Sequence, residues 1–221
     1  MNTISETELQ ALLLDATPIE VDGLGLKVAR LQDGSFLKLY RRKRIISSAL
    51  LSPPAKRFAQ NAEKLLSLGI AAPEIEDLLS IPSLNLNGVR YIPLPGDTLR
   101  NRWKGAQDAR IDEEVERFGA FLAHLHSTGI YFRSLHLGNV LLLPDGHFGL
   151  IDLSDMRIGK KSLSGQRRAR NLKHILRYPE DIRWLTAEHR DAWIRGYASM
   201  SSDAEAAQFA ENLNRFNNKV S

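Results

Sequence analysis

The chain has no cysteine, which excludes disulfides, thiol nucleophiles and cysteine-ligated zinc and agrees with a reducing compartment. No apolar run approaches the roughly 20 residues that a helix needs to cross a bilayer. The opening MNTISETELQ carries acidic residues where a secretory signal would be basic and then apolar, so the cytoplasm is the expected location. The six histidines show no metal-ligand spacing, and there is no internal repeat, low-complexity tract or long linker. One further absence is local. From Met156 to Pro179 there is no Asp or Glu, while eight basic residues occupy the stretch: Arg157, Lys160, Lys161, Arg167, Arg168, Arg170, Lys173 and Arg177.

What is present is enough apolar material, 43% of 221 residues, for one domain or one domain made of two lobes. The net charge of +4 is modest, so its distribution carries more meaning than its sum. The basic stretch, and a second run RRKR at Arg41 to Arg44, would attract phosphates, anionic sugars, acidic lipid surfaces or nucleic acid. Apart from Tyr178, neither run interleaves aromatics for base stacking, and no reader motif is found, so nucleic acid is not an expected partner.

Periodicity predicts a sheet-rich first half. A short helix opens the chain, with Ser5 as N-cap and Glu8 as its capping-box partner. Strands are expected over Ile19 to Leu31 and Phe36 to Tyr40, turned by Gln32-Asp33-Gly34-Ser35. A helix over Pro54 to Leu68, ended by Gly69, precedes strands near Glu74 to Ile81 and Val89 to Ile92. The second half is mainly helical. Asp112 to Ser127 is the clearest helix, and Val140 to Leu143 and Phe148 to Ile151 form a hairpin around Pro144-Asp145-Gly146. Helices then follow over Gln166 to Tyr178, Ala187 to Ala198 behind the cap Thr186, and Ala204 to Phe216 behind a Ser202 to Glu205 capping box.

The segment richest in chemistry is Tyr131 to Met156. A helix runs into a polar loop ending in Gly138-Asn139, and a hairpin then delivers Asp152 directly after Leu150-Ile151. An Asn carbonyl and an Asp carboxylate are hard oxygen ligands of the kind that hold magnesium against nucleotide phosphates.

In its spacing, Phe132-Arg133-Ser134-Leu135-His136-Leu137-Gly138-Asn139 resembles the catalytic loop of protein kinases, and Asp152-Leu153-Ser154 stands where Asp-Phe-Gly would. The likeness spans Glu20 to Tyr197 and is greatest to the bacterial lipopolysaccharide kinases of the Kdo and WaaP type, including homologues labelled toluene tolerance proteins. It implies an α+β, bilobal protein-kinase-like fold, with a small antiparallel-sheet lobe over about 1–94 and a helical lobe over about 95–221. It also implies an ATP- and Mg²⁺-dependent phosphotransferase. By this resemblance, Lys38 contacts the α and β phosphates, Gly23 and Gly25 let backbone N–H groups approach phosphate, and Glu63 partners Lys38. Tyr91 is then the residue before the inter-lobe hinge, adenine bonds to the Ile92 carbonyl and the Leu94 N–H, and Asn139 and Asp152 hold the metal.

Ser134 departs from the pattern, because active relatives carry an aspartate there that takes the acceptor's proton. A serine hydroxyl can position an acceptor but is not basic enough to deprotonate it, a loss of about 10²- to 10⁴-fold in rate. His136 and Asp155 are the substitutes within reach in sequence, each with a structural alternative: tying the loop together, or pairing with nearby arginines. The implied acceptor is a sugar of the lipopolysaccharide core, met at the inner face of the inner membrane, with the basic stretch Arg157 to Arg177 suited to an anionic sugar. The alternative is a pseudokinase that binds nucleotide and regulates envelope biosynthesis.

Overall fold

A computed structural model of the chain describes residues 1–41, 52–104, 106 and 108–220. Arg42 to Arg44 of the RRKR run lie outside the described residues. The fold is α+β and divides into two compact units, Met1–Pro95 with Leu150–Asp155, and Gly96–Gly149 with Met156–Ser221.

The first unit is built on a six-stranded sheet in the order β1-β5-β6-β4-β3-β2. In chain order its elements are β1 (Asn2–Thr3), α1 (Glu6–Leu12), β2 (Thr17–Asp22), β3 (Gly25–Arg30), β4 (Phe36–Arg41), α2 (Pro54–Ser67), β5 (Glu74–Ile81) and β6 (Leu86–Ile92). All pairings are antiparallel except that of β1 with β5. The expected strand Ile19 to Leu31 is two strands, because Asp22 turns the chain by accepting the Leu24 N–H at 2.8 Å. At the next turn Asp33 accepts the Ser35 N–H at 2.9 Å and Gly34 takes φ +86°. The Ser5 and Glu8 capping box is formed in both directions.

Strand alternation gives the sheet two different faces. Leu37, Leu39, Leu79, Ile81 and Leu86 form one apolar layer with Leu9 of α1. Lys38 lies between two of those leucines and so projects to the opposite face, where Phe58 of α2 packs on Tyr91 with ring centroids 5.2 Å apart.

The second unit is mainly helical. It contains β7 (Asp97–Thr98), α3 (Leu99–Trp103), α4 (Asp108–Ser127), β8 (Ile130–Phe132), β9 (Val140–Leu142) and β10 (Phe148–Leu150), whose last residue begins the segment that belongs to the first unit. There follow β11 (Met156–Ile158), α5 (Gly165–Ile175), α6 (Pro179–Arg183), α7 (Arg190–Ser199) and α8 (Asp203–Val220). Helix α4 packs on α7, where Phe118 stacks on Trp193. Their backbones meet at two glycines. A Cβ added at Gly196 would lie 1.7 Å from the Glu116 carbonyl oxygen, and one at Gly119 would lie 2.5 Å from that of Trp193.

Two expectations for this unit are corrected. The helix expected to end at Tyr178 stops at Ile175, and Tyr178 instead precedes α6, which starts at a proline. Thr186 is not a cap: it lies inside a π-helical turn, Trp184–Glu188, and donates to the Ile182 carbonyl at 2.9 Å, so α7 begins at Arg190. The Ser202 and Glu205 box is formed, with a 3.2 Å bond to the Ser202 N–H and a 3.4 Å bond to the Glu205 N–H. Among the described residues no helix is long and apolar enough to cross a membrane.

Candidate functional site

Two constellations, one in each unit, hold the residues singled out from the sequence. In the first unit the centre is an ion pair. Lys38, mid-strand in β4 between Val28 of β3 and Val89 of β6, places Nζ 2.5 Å from Oδ1 of Asp152. The lysine side chain is 7% exposed and the aspartate 35%, so the amine is withdrawn from water while the carboxylate keeps an open side. Asp152 has φ +57°, a left-handed conformation that costs a non-glycine residue roughly 1–2 kcal/mol. Its neighbours hold it there. Leu150 N–H donates to the Ala71 carbonyl at 3.0 Å, Asn61 Nδ2 to the Leu153 carbonyl at 2.8 Å, and Arg57 Nε to the Ser154 carbonyl at 2.9 Å. Asn61 and Arg57 both stand on α2, so one helix carries the segment that presents Asp152.

Burial raises the pKa of two phenols on this side of the sheet, Tyr40 and Tyr91, and the negative charge of Asp152 adds to the effect. Both remain neutral hydroxyls at any physiological pH.

The expected helical partner of Lys38 is not Glu63. Phe58, Ala62 and Leu65 set the buried side of α2; Glu63, about 100° further round than Ala62, is exposed, and the carboxylate that Lys38 meets is Asp152. Of the turn glycines, Gly25 has φ +114° and a Cβ there would fall 2.9 Å from Arg41 Nη2, whereas Gly23 faces open space. Arg41 also donates to the Leu24 carbonyl at the tip of this turn. Tyr91 is buried, Ile92 is exposed and Leu94 is half-buried. The sequence reading missed Asn61 and Arg57, because a helix periodicity shows which side is buried but not which distant carbonyl lies there.

In the second unit the loop after β8 is fixed from several directions. Asn139 is buried and donates through Nδ2 to the Ser134 carbonyl at 2.8 Å, which commits its nitrogen to the loop. His136 Nδ1 accepts the Gly138 N–H at 3.1 Å and lies 3.4 Å from Arg100 Nη2. Both neighbours are donors, so the neutral ring carries its proton on Nε2. Arg100 in turn donates to Asp181 at 2.9 and 2.7 Å, and Asp181, fully buried, also accepts the Leu137 N–H at 3.2 Å. The Arg100 guanidinium lies 4.1 Å from the Tyr178 ring centroid, and the His136 ring meets the same ring edge-on at 5.0 Å. Ser134 is half-buried, and Asp155 ends the turn Leu153–Asp155 in the other unit. Arg100 and Asp181, 81 residues apart, carry no local sequence signal for this contact.

A buried relay reaches the start of the same loop. Arg168 Nη1 donates to Tyr197 Oη at 2.8 Å, leaving that hydroxyl to donate to His126 Nδ1 at 2.9 Å. His126 Nε2 then donates to Asn171 Oδ1 at 3.3 Å, and Asn171 Nδ2 to the Phe132 carbonyl at 2.7 Å. The bond from Tyr197 to His126 requires an unprotonated Nδ1, and the His126 pKa falls to about 3, through burial first and the Arg168 charge second.

This has a consequence for acid stability. Unfolded His126 takes a proton below about pH 6.5 while the folded residue does not until about pH 3, so the unfolded chain binds more protons across that window. Stability is therefore expected to fall as pH drops through the window, by about 1 kcal/mol per pH unit from this residue. Thermal unfolding from neutral pH to pH 4.5 checks it: His126→Gln should show a shallower loss of Tm than the natural chain, and parallel slopes would contradict the assignment.

A cavity of about 170 Å³ lies elsewhere in the second unit, lined by Leu163, Leu172, Tyr197, Phe209 and polar residues of α8, and none of the proposed nucleotide or metal residues borders it. Among the described residues there is no group of three or more His, Asp or Glu side chains that could hold a metal by themselves. No protein-family model matches the chain, and no curated protein matches it either.

Proposed function

We propose that the chain is an ATP- and magnesium-dependent phosphotransferase with a bilobal protein-kinase-like fold, transferring phosphate to a sugar hydroxyl of the lipopolysaccharide core. The observation that carries this reading is the Lys38 and Asp152 pair, with Asp152 held at φ +57°. Residues held in sparsely populated backbone conformations by their surroundings cluster at functional sites.

The donor set fits the group. A magnesium ion keeps waters and phosphate oxygens and takes only one or two carboxylates from a protein, so the open side of Asp152 suits it without a cage of acidic residues. Magnesium-bound ATP supplies the phosphoryl group and neutralises its charge. Lys38 provides a desolvated cation for phosphate oxygens, and Asn139 an amide oxygen of the kind magnesium accepts. In this reading Gly25 shapes the turn that the resemblance gives to phosphate, and the hinge contacts to adenine are assigned to Ile92 and Leu94 by the resemblance alone. His136 holds the loop through Nδ1 and carries its proton on Nε2, so it donates hydrogen bonds and does not accept the acceptor's proton.

A second reading, a nucleotide-binding pseudokinase that regulates envelope biosynthesis, is favoured by Ser134. The two are separated by ATP turnover and by phosphate transfer to core oligosaccharide. The transferase reading expects slow turnover in the natural chain, rising in Ser134→Asp by a factor within the about 10²- to 10⁴-fold range of a restored base. Nucleotide binding without turnover in either protein would leave the pseudokinase.

A further inference from the structure

Five exposed basic residues of the second unit lie along α5 and beside it on β11. On α5, Arg167, Arg170 and Lys173 recur every three residues and span about 9 Å along the axis, and Arg177 continues the row just past the helix end. Arg157 of β11 pairs directly with Tyr131 of β8, so their side chains leave the same face. Tyr131 Oη lies 3.2 Å from His174 Nε2, and His174 Nδ1 lies 3.4 Å from Arg177 Nη2, which places Arg157 beside the α5 row.

All five cations are exposed, and none forms an ion pair with a described residue. The one buried arginine of the stretch, Arg168, is the one that is neutralised, by Glu205 at 2.5 Å. It also donates to the Leu163 carbonyl and the Ser162 hydroxyl, fixing the loop before α5. The charge of the whole chain is polarised. Setting aside the eight basic residues from Met156 to Pro179 leaves 22 of the 30 Lys and Arg against all 26 Asp and Glu, so the remainder is net negative.

We infer that this face docks on an anionic phospholipid surface, with Arg157, Arg167, Arg170, Lys173 and Arg177 against the headgroups. No large apolar side chain is exposed between Arg157 and Arg177, so the contact stays at headgroup level without insertion. Aromatic platforms for nucleic-acid bases are lacking, since Tyr131 packs on His174 and Tyr178 is covered by Arg100 and His136. The nucleotide site plays no part in this contact.

Co-sedimentation of the full chain with vesicles tests it. Binding is expected to phosphatidylcholine vesicles containing about one-third phosphatidylglycerol and not to pure phosphatidylcholine, and it should be lost near 1 M salt, where screening length falls to about 3 Å. Replacing Arg167, Arg170 and Lys173 together by Gln, all at exposed positions, should weaken it about 100-fold, at about fivefold per cation. Failure to bind anionic vesicles, equal binding to neutral ones, or unchanged binding by the triple variant with its unfolding temperature preserved would each overturn the inference. So would retention on duplex DNA without vesicle binding, which would assign the face to nucleic acid.

Discussion

Gly196→Ala is expected to prevent stable folding of the second unit. The added methyl would sit 1.7 Å from the Glu116 carbonyl oxygen and 2.6 Å from its carbon. These are backbone atoms of α4, so no rotamer change relieves the overlap and the two helices must move apart. Separation would disturb the Phe118 and Trp193 stack, and Gly119, which has its own close approach to the Trp193 carbonyl and the Tyr197 nitrogen. Overpacking into mobile side chains costs about 1–3 kcal/mol. Against rigid backbone the cost should exceed about 4 kcal/mol, a large share of the roughly 5–15 kcal/mol that holds a domain folded. Thermal unfolding followed by circular dichroism should show a Tm lowered by at least about 10 °C, or no cooperative transition. Gly165→Ala is the control: nothing lies within 4 Å of its Cβ position at the first turn of α5, so Tm should hold or rise slightly.

The second large effect concerns Asp152. Asn tolerates the left-handed region and keeps an oxygen that can accept from Lys38, so Asp152→Asn removes the charge with little change in backbone cost. Ala would lose that acceptor oxygen as well, leaving the buried Lys38 amine with nothing to donate to on this side chain, and would confuse a binding loss with a folding loss. On the proposed reading, Asn would take from magnesium the anionic oxygen that Asp152 offers. Affinity for magnesium-bound ATP should fall at least about 100-fold, beyond the 10- to 100-fold typical of groups that merely support a metal ligand. Affinity for ATP in the presence of a chelator should change far less. Titration calorimetry under the two conditions separates these outcomes.

The features that were legible in the sequence are those governed by neighbours in the chain. The Ser5 and Glu8 box and the Asp33-Gly34 turn depend on contacts within a few residues, and each is formed. The polar loop from Ser134 to Asn139 was legible as a loop too, and Asn139 Nδ2 donates to the Ser134 carbonyl across it. What was not legible depends on long-range partners. Lys38 meets Asp152 across 114 residues, and a helix placed next to a lysine strand made Glu63 look like the partner, although it lies on the wrong side of the buried stripe. Arg100 reaches Asp181 across 81 residues, and Asn171 reaches Phe132 across 39. The two-residue strand β1 has no periodicity to read, and the π-helical turn at Trp184–Glu188 displaced a helix start that Thr186 had suggested.

The central claim is that the Lys38 and Asp152 pair is a magnesium-nucleotide site and not only a brace of the sheet. The most direct measurement is calorimetric titration of the natural chain with magnesium-bound ATP. The account predicts saturable binding near one equivalent per chain, abolished by Asp152→Asn in a protein whose unfolding temperature is preserved. Absence of saturable binding to the folded natural chain, or equal binding by Asp152→Asn, would contradict it.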